Sequence, residues 1–276
     1  MTTQVMVLVL FGALLHASWN AIVKSGSDKL REAALVAGGA SVVSALALPF
    51  VPLPDPASIP WLIGSIVIHQ LYFVLVAAAY RAGDMGHTYP LMRGTAPLIV
   101  ALSSGAFIGE RLSTTASAGV SLICGGILLL AFHRHASRKA TLIALGNALV
   151  IAVYTYVDGL GARASHQPAA YVLWLTFLTS PPLLAWLWWR DAAALKQQFR
   201  ARGWHALAGG ACTLGSYGLA LWAMTVAPLA TVAALRETSV LFAIVISTFI
   251  LGEQGGLRRA AAAALIVCGA VALRFS

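Results

Sequence analysis

Apolar residues run along this chain in long stretches, separated by short gaps rich in polar residues, glycine or proline. A helical stretch of about 20 apolar residues matches the hydrocarbon thickness of a bilayer. The pattern predicts ten such helices. The first covers residues 4–23 and carries His16, Ser18, Trp19 and Asn20 in its second half. After KSGSDKLRE, the second reaches Pro49 and a proline-rich connector, PFVPLPDPASIP. The third, 61–80, contains His69, Gln70, Tyr72 and Tyr80. The fourth carries Tyr89, Pro90, Arg93 and Pro97, and two prolines in one span predict a kinked or partly unwound helix. The fifth is 114–132 and the sixth 140–158, with Asn147, Tyr154 and Tyr156. The seventh is 169–189, closing on a Trp-rich end, and RDAAALKQQFRARG then predicts a short surface helix. The eighth, 205–226, holds Tyr217 and Trp222; the ninth holds Arg236 and Glu237; the alanine-rich tenth can approach a neighbour closely.

Two of these stretches are the same stretch. YPLMRGTAPLIVALSSGAFIGE (89–110) and VAALRETSVLFAIVISTFILGE (232–253) each carry an arginine near the start and Gly-Glu at the end. Arg93 and Arg236, Gly109 and Gly252, and Glu110 and Glu253 all stand 143 positions apart, without a gap. Gly12 and Gly146 occupy similar places in the first helix of each half. The chain therefore reads as a duplication, 1–135 and 136–276, joined at HRHASRK (133–139). Five helices per half force the second to insert upside down, a recurring construction in secondary transporters with the site near mid-bilayer.

Composition agrees with a polytopic membrane protein. Hydrophobic residues make up 59% and charged residues 10%, with a mean hydropathy of +0.83, against about 25% charge in a soluble domain. The net charge of +9 does not indicate a nucleic-acid partner, because the cations sit between apolar runs. Most fall on one predicted side, from Lys24, Lys29 and Arg31 to Arg258 and Arg259, and only Arg111, Arg163 and Arg274 on the other. That places both termini outside the cytoplasm. Cys124, Cys212 and Cys268 lie inside apolar runs without metal-site or disulfide spacing. The first apolar run has no basic residue before it and reads as a retained helix.

The candidate chemistry starts from the arginines, since an intramembrane charge is costly and marks a functional site by default. Arg93 and Arg236 either cap carbonyls and pair with an acid, or clamp a carboxylate with their planar forks. Glu237, whose repeat partner is Gly94, either pairs with Arg93 across the pseudo-two-fold or exchanges a proton. His16, Trp19 and Asn20 share one helix face, as do His69 and Tyr72. With Tyr154, and with Trp222 placed near the depth of Tyr80, they suit a cavity for an amphiphilic molecule, or else ordinary interhelical packing. Asp158 reads as solvated at a helix end, Glu110 and Glu253 as helix-ending residues, and His87 and Tyr89 as interfacial.

YPLMRGTAPL followed by GERLS, echoed by LRETSVLF and LGE, resembles the drug/metabolite transporter superfamily, and more narrowly its bacterial EamA-type members. The resemblance implies an all-α, ten-helix secondary transporter of the bacterial inner membrane. It implies a central cavity between helices 1, 3, 4 and 6, 8, 9, with helices 5 and 10 as supports. The expected activity is export, by alternating access, of a small amphiphilic metabolite carrying a carboxylate, such as an amino acid, with proton coupling at Glu237. Import, or a drug or other metabolite as substrate, fits the same fold. A membrane-embedded enzyme and a non-transporting scaffold are the other classes. No HExxH, GxSxG, paired-carboxylate or Walker arrangement occurs, so neither catalysis nor direct use of ATP is expected. No cofactor or metal is implied; the expected partners are substrate and membrane lipid, around a monomer or homodimer.

Overall fold

The computed structural model describes residues 1–26, 28–131, 137–249 and 256–276. Within them the chain is built from helices α1 (Thr3–Ser25), α2 (Lys29–Ala47), α3 (Ile59–Ala82), α4 (Met85–Phe107), α5 (Thr114–Leu130), α6 (Arg138–Ala164), α7 (Pro168–Val226), α8 (Leu229–Arg236), α9 (Ser239–Phe249) and α10 (Leu257–Arg274). Side chains just ahead of the helices cap their free N–H groups: Thr2 for α1, Asp28 for α2, Asp84 for α4, Ser113 for α5 and Ser137 for α6. Gly252 and Glu253 of the second repeat end, and residues 133–136 of the joining segment, lie outside the described residues.

Six helical stretches among the described residues are long and apolar enough to cross a membrane: Thr3–Ser25, Lys29–Phe50, Pro56–Ala82, Arg138–Ala164, Pro168–Val226 and Leu229–Thr248. The chain leaves helical geometry within α7 at Asp191 and again at Arg202, so the expected seventh and eighth spans stay distinct, with the expected short helix between them. The expected ten separate spans need correcting at one place. The ninth is broken in the middle. After α8 the chain makes short i→i−3 bonds, Glu237 N–H to Ala234, Thr238 to Leu235, Val240 to Glu237 and Leu241 to Thr238, before α9 resumes.

Of the two outcomes its prolines predict, a kinked or a partly unwound helix, α4 does not take the second; it remains helical through both Pro90 and Pro97. A proline has no N–H for the carbonyl four residues earlier. Pro97 therefore leaves the Arg93 carbonyl without its helical donor. In the second half the residue in the same register is Val240, and its N–H turns to Glu237 rather than to Arg236. Both halves thus interrupt the helix ladder at the arginine, by different means.

Close packing is concentrated at two crossings. α5 lies against α10, and α2 against α7. A Cβ on Gly269 would stand 2.7 Å from the Gly119 carbonyl oxygen, and one on Gly39 only 2.1 Å from that of Ala206. Small residues here let backbones touch, which is how helices associate where lipid removes the hydrophobic drive. Ile123, Ile127, Ile266 and Leu273 are fully buried beside the α5–α10 crossing. Val67, Leu102 and Phe107 point outward, as expected of a surface in contact with hydrocarbon chains. Gly12 and Gly146, alike in sequence, differ in packing: a Cβ on Gly12 would stand 3.3 Å from the Ser216 carbonyl oxygen, and nothing lies within 4 Å of one on Gly146.

This packing carries a prediction. Gly39→Val and Gly269→Leu will each lower the midpoint of thermal unfolding of the detergent-solubilised protein, at an overpacking cost of about 1–3 kcal/mol. Gly146→Ala will hold or raise it. Equal midpoints across the three variants would contradict the close approach.

Candidate functional site

Arg93 of α4 and Glu237, at the break between α8 and α9, meet in the interior. The Arg93 Nη2 to Glu237 Oε1 distance is 2.8 Å, and both side chains are 6% exposed. This is the cross-half pairing that one reading of the sequence anticipated. Glu237 sits beyond the last helical residue of α8, so the broken helix turns it away from Arg236 and towards α4. The Glu237 Oε2, the Arg93 Nε and the Arg236 Nε have no hydrogen-bond partner among the described residues. A small cavity opens beside them, lined also by Ala96, Pro97, Ile151, Tyr154, Thr155 and Ala233.

Arg236 forms no ion pair among the described residues. Its guanidinium lies over the Tyr217 ring, 5.2 Å from the centroid, where the ring quadrupole attracts the cation. The site therefore holds one guanidinium paired with a carboxylate and one seated on an aromatic face.

An aromatic group continues from this centre. His69 stacks on Tyr154 with 4.6 Å between centroids and meets Tyr72 and Tyr217 edge-on at 6.3 Å. Tyr72 meets Tyr154 edge-on at 5.7 Å. The His69 Nδ1 lies 2.9 Å from the Ser65 carbonyl oxygen. A carbonyl only accepts, so Nδ1 carries the proton in this contact and Nε2 is left for other partners.

The other expected site residues are placed differently. His16 is buried and within electrostatic reach of both arginines. Its polar neighbours are occupied inside α1: the Trp19 indole N–H donates to His16 Nδ1 at 3.3 Å, and the Asn20 amide to the His16 carbonyl at 2.8 Å. Tyr80 packs with Ala79, Met92 and Ala144, whereas Trp222 packs against the larger core around Leu221 and Met224.

Asp158 corrects the sequence reading outright. It is completely buried, because α6 continues to Ala164 instead of ending at Asp158. Its carboxylate accepts from the Tyr217 hydroxyl and, at 3.4 Å, from that of Tyr171. The ring under Arg236 is thus held at its other end by a buried acid. Tyr217 and Asp158 are the neighbours of Arg236 that the sequence reading left out of the candidate site. An acid and a tyrosine inside apolar runs were the available signal.

Glu110 behaves as a helix-ending residue, but for a distant helix. Gly109 takes a left-handed backbone, φ 71°, a conformation that glycine adopts without strain. Beyond it, Glu110 Oε2 accepts from the Leu229 N–H at the start of α8 at 2.8 Å, and Oε1 pairs with Arg163 at 2.6 Å. Arg163 also donates to the carbonyls of Met224 and Ala227. One end of the bundle is tied together in this way. At α2 another pair, Arg202 with Glu32 at 2.6 Å, joins the α1–α2 turn to α7. His87 bonds the Ala131 carbonyl and the Thr141 hydroxyl, a linking role outside the central site.

With this geometry established, comparison with known proteins adds the following. The EamA-like transporter family matches residues 138–275. A crystal structure of a protein superposes with a TM-score of 0.70 over 99% of this chain and 96% of that chain, at 18% identity, a likeness of fold. No curated protein sequence matches.

Removing one member of a buried ion pair exposes the other to the full cost of an unpaired interior charge, about 3–5 kcal/mol. Arg93→Gln alone will therefore destabilise the solubilised protein strongly, and the Arg93→Gln, Glu237→Gln double variant will recover much of the loss. Additive effects in a thermal double-mutant cycle would refute the coupling.

Proposed function

Because the chain belongs to the EamA-like transporter family, we propose that it is a secondary active transporter exporting a small amphiphilic metabolite such as an amino acid. The two halves, 1–135 and 136–276, act as inverted five-helix repeats and expose the site alternately to either side. Transport, not catalysis, is the activity of this multi-pass membrane protein. We place it in a bacterial inner membrane with both termini outside the cytoplasm. Supporting a common side for the termini, the Met1 ammonium donates to the Ser276 carbonyl and Arg274 to Thr3 and the Met1 carbonyl.

One observation carries the substrate chemistry: Glu237 pairs with Arg93, and the buried Arg236 beside them forms no ion pair among the described residues. Arg236, backed by Tyr217, is the residue that receives a substrate carboxylate. An α-ammonium group then reaches Glu237 Oε2, the oxygen not held by Arg93. The apolar part of the substrate lies against His69, Tyr72 and Tyr154. His16, with Trp19 and Asn20 behind it, borders the same space from α1; Tyr80 and Trp222 support from the flanks. A proton and an ammonium group compete for the same carboxylate oxygen. That competition makes the coupling an exchange, and an inward proton gradient would drive the substrate out. The Glu110–Arg163 and Arg202–Glu32 ties, at separate helix ends, are the contacts that opening must break.

The test is flux of a labelled amino-acid and metabolite panel in proteoliposomes, with and without an imposed pH gradient. A zwitterionic solute will move against its gradient when protons flow the other way. Arg236→Gln will raise KM by roughly 10-fold or more, the loss expected for a charge-assisted hydrogen bond of about 1.5–3 kcal/mol. Glu237→Gln will abolish the effect of the pH gradient, and Arg93→Gln will lose transport. Flux unchanged by all three substitutions would reject this mechanism. Solute moving with the protons would replace export by uptake.

A further inference from the structure

The segment between the two bends of α7 is a helix of its own, held flat against the end of α2. Its first bend is at Asp191 and its second at Arg202. Asp191 caps it, accepting from the Ala194 N–H at 3.0 Å, and also pairs with Arg31 at 3.1 Å. Arg202, at the far end, pairs with Glu32 and donates to the Ser25 hydroxyl at 2.8 Å. Between them Leu195 is buried against Ala34, Leu35 and Leu187. The helix is therefore fixed at both ends and in the middle, and Lys196, Gln197, Phe199 and Arg200 are exposed on it.

The side chains exposed on this helix and just beyond its two bends have a consistent chemistry. Trp189 is 87% exposed, Trp204 79% and Phe199 58%. Arg190, Lys196 and Arg200 are exposed beside them. Arg190 lies over the Trp186 ring at 5.4 Å and Lys196 over the Trp188 ring at 4.8 Å. The one acid of the segment, Asp191, is already engaged by Arg31. Large aromatic rings next to uncompensated cations, on a rigid helix at the end of the spans, match the depth where acyl chains meet headgroups. Exposure of this much aromatic surface to bulk water would be costly, while the cations need an anion.

We propose that this surface binds anionic phospholipid headgroups, with Arg190, Lys196 and Arg200 on the phosphates and Trp189, Phe199 and Trp204 in the interfacial layer. The site is independent of the transport reading. It turns the α7 bend, which ties α1, α2 and both limbs of α7 together, into a lipid-sensing corner.

The experiment uses the full chain reconstituted in vesicles of brominated phosphatidylglycerol or brominated phosphatidylcholine, read by tryptophan quenching. Phosphatidylglycerol will quench more at equal mole fraction. The difference will fall about 5-fold for each cation replaced in Arg190→Gln, Lys196→Gln and Arg200→Gln. It will shrink but persist in the Trp189→Phe, Trp204→Phe variant, where Trp186 and Trp188 beside Arg190 and Lys196 still report. In the unmodified protein it will shrink as potassium chloride rises, so the result does not depend on any variant folding. Equal quenching by the two lipids, a salt-independent preference, or a preference intact in the triple variant would overturn the proposal. Abolition by millimolar inorganic phosphate would assign the surface to a free anion and overturn it as well.

Discussion

The Arg93–Glu237 pair is the contact on which the interior is arranged. Two opposite charges taken out of water remain only if each finds the other with good geometry. That requirement joins α4 to the α8–α9 break and forces the second half to open its helix where Glu237 must turn inward. Arg236, displaced from its neighbour by the same break, is left to the face of Tyr217. The aromatic group, the cavity and the buried acid at Asp158 all gather around this arrangement of charge.

Polar ties at the helix ends complement that centre. Glu110 is freed from its own helix by the left-handed turn at Gly109, and it satisfies both an arginine and a helix start elsewhere in the chain. The glycine and the acid are one device: the first releases the second to cross the gap. The contacts of Arg202 with Glu32 and Ser25 have a similar character, with one guanidinium holding a turn against a helix bend.

Much of this was legible in the amino-acid sequence because it recurs there. The fixed offset between Arg93 and Arg236 singled out both arginines, and the mismatch of Glu237 with Gly94 singled out the acid that pairs across the halves. Small residues in the tenth helix announced its close packing. Other parts were hidden for physical reasons. Hydropathy marks where an apolar run weakens, not where a helix stops, so α6 was cut at Asp158 and a buried carboxylate was mistaken for a solvated one. Tyr217 looks like any tyrosine in a span until the fold brings Arg236 above it and Asp158 to its hydroxyl.

The two interruptions at the arginines are not equivalent. Pro97 lacks a hydrogen to give, so the gap in the α4 ladder is written into the covalent chain and persists in every conformation. Val240 keeps its N–H and has merely directed it to Glu237. Handing that single bond back to the Arg236 carbonyl would straighten the second helix and swing Glu237 out of the interior. The gap at Pro97 thus cannot be closed by any rearrangement of α4, whereas the break before α9 keeps the hydrogen that could close it.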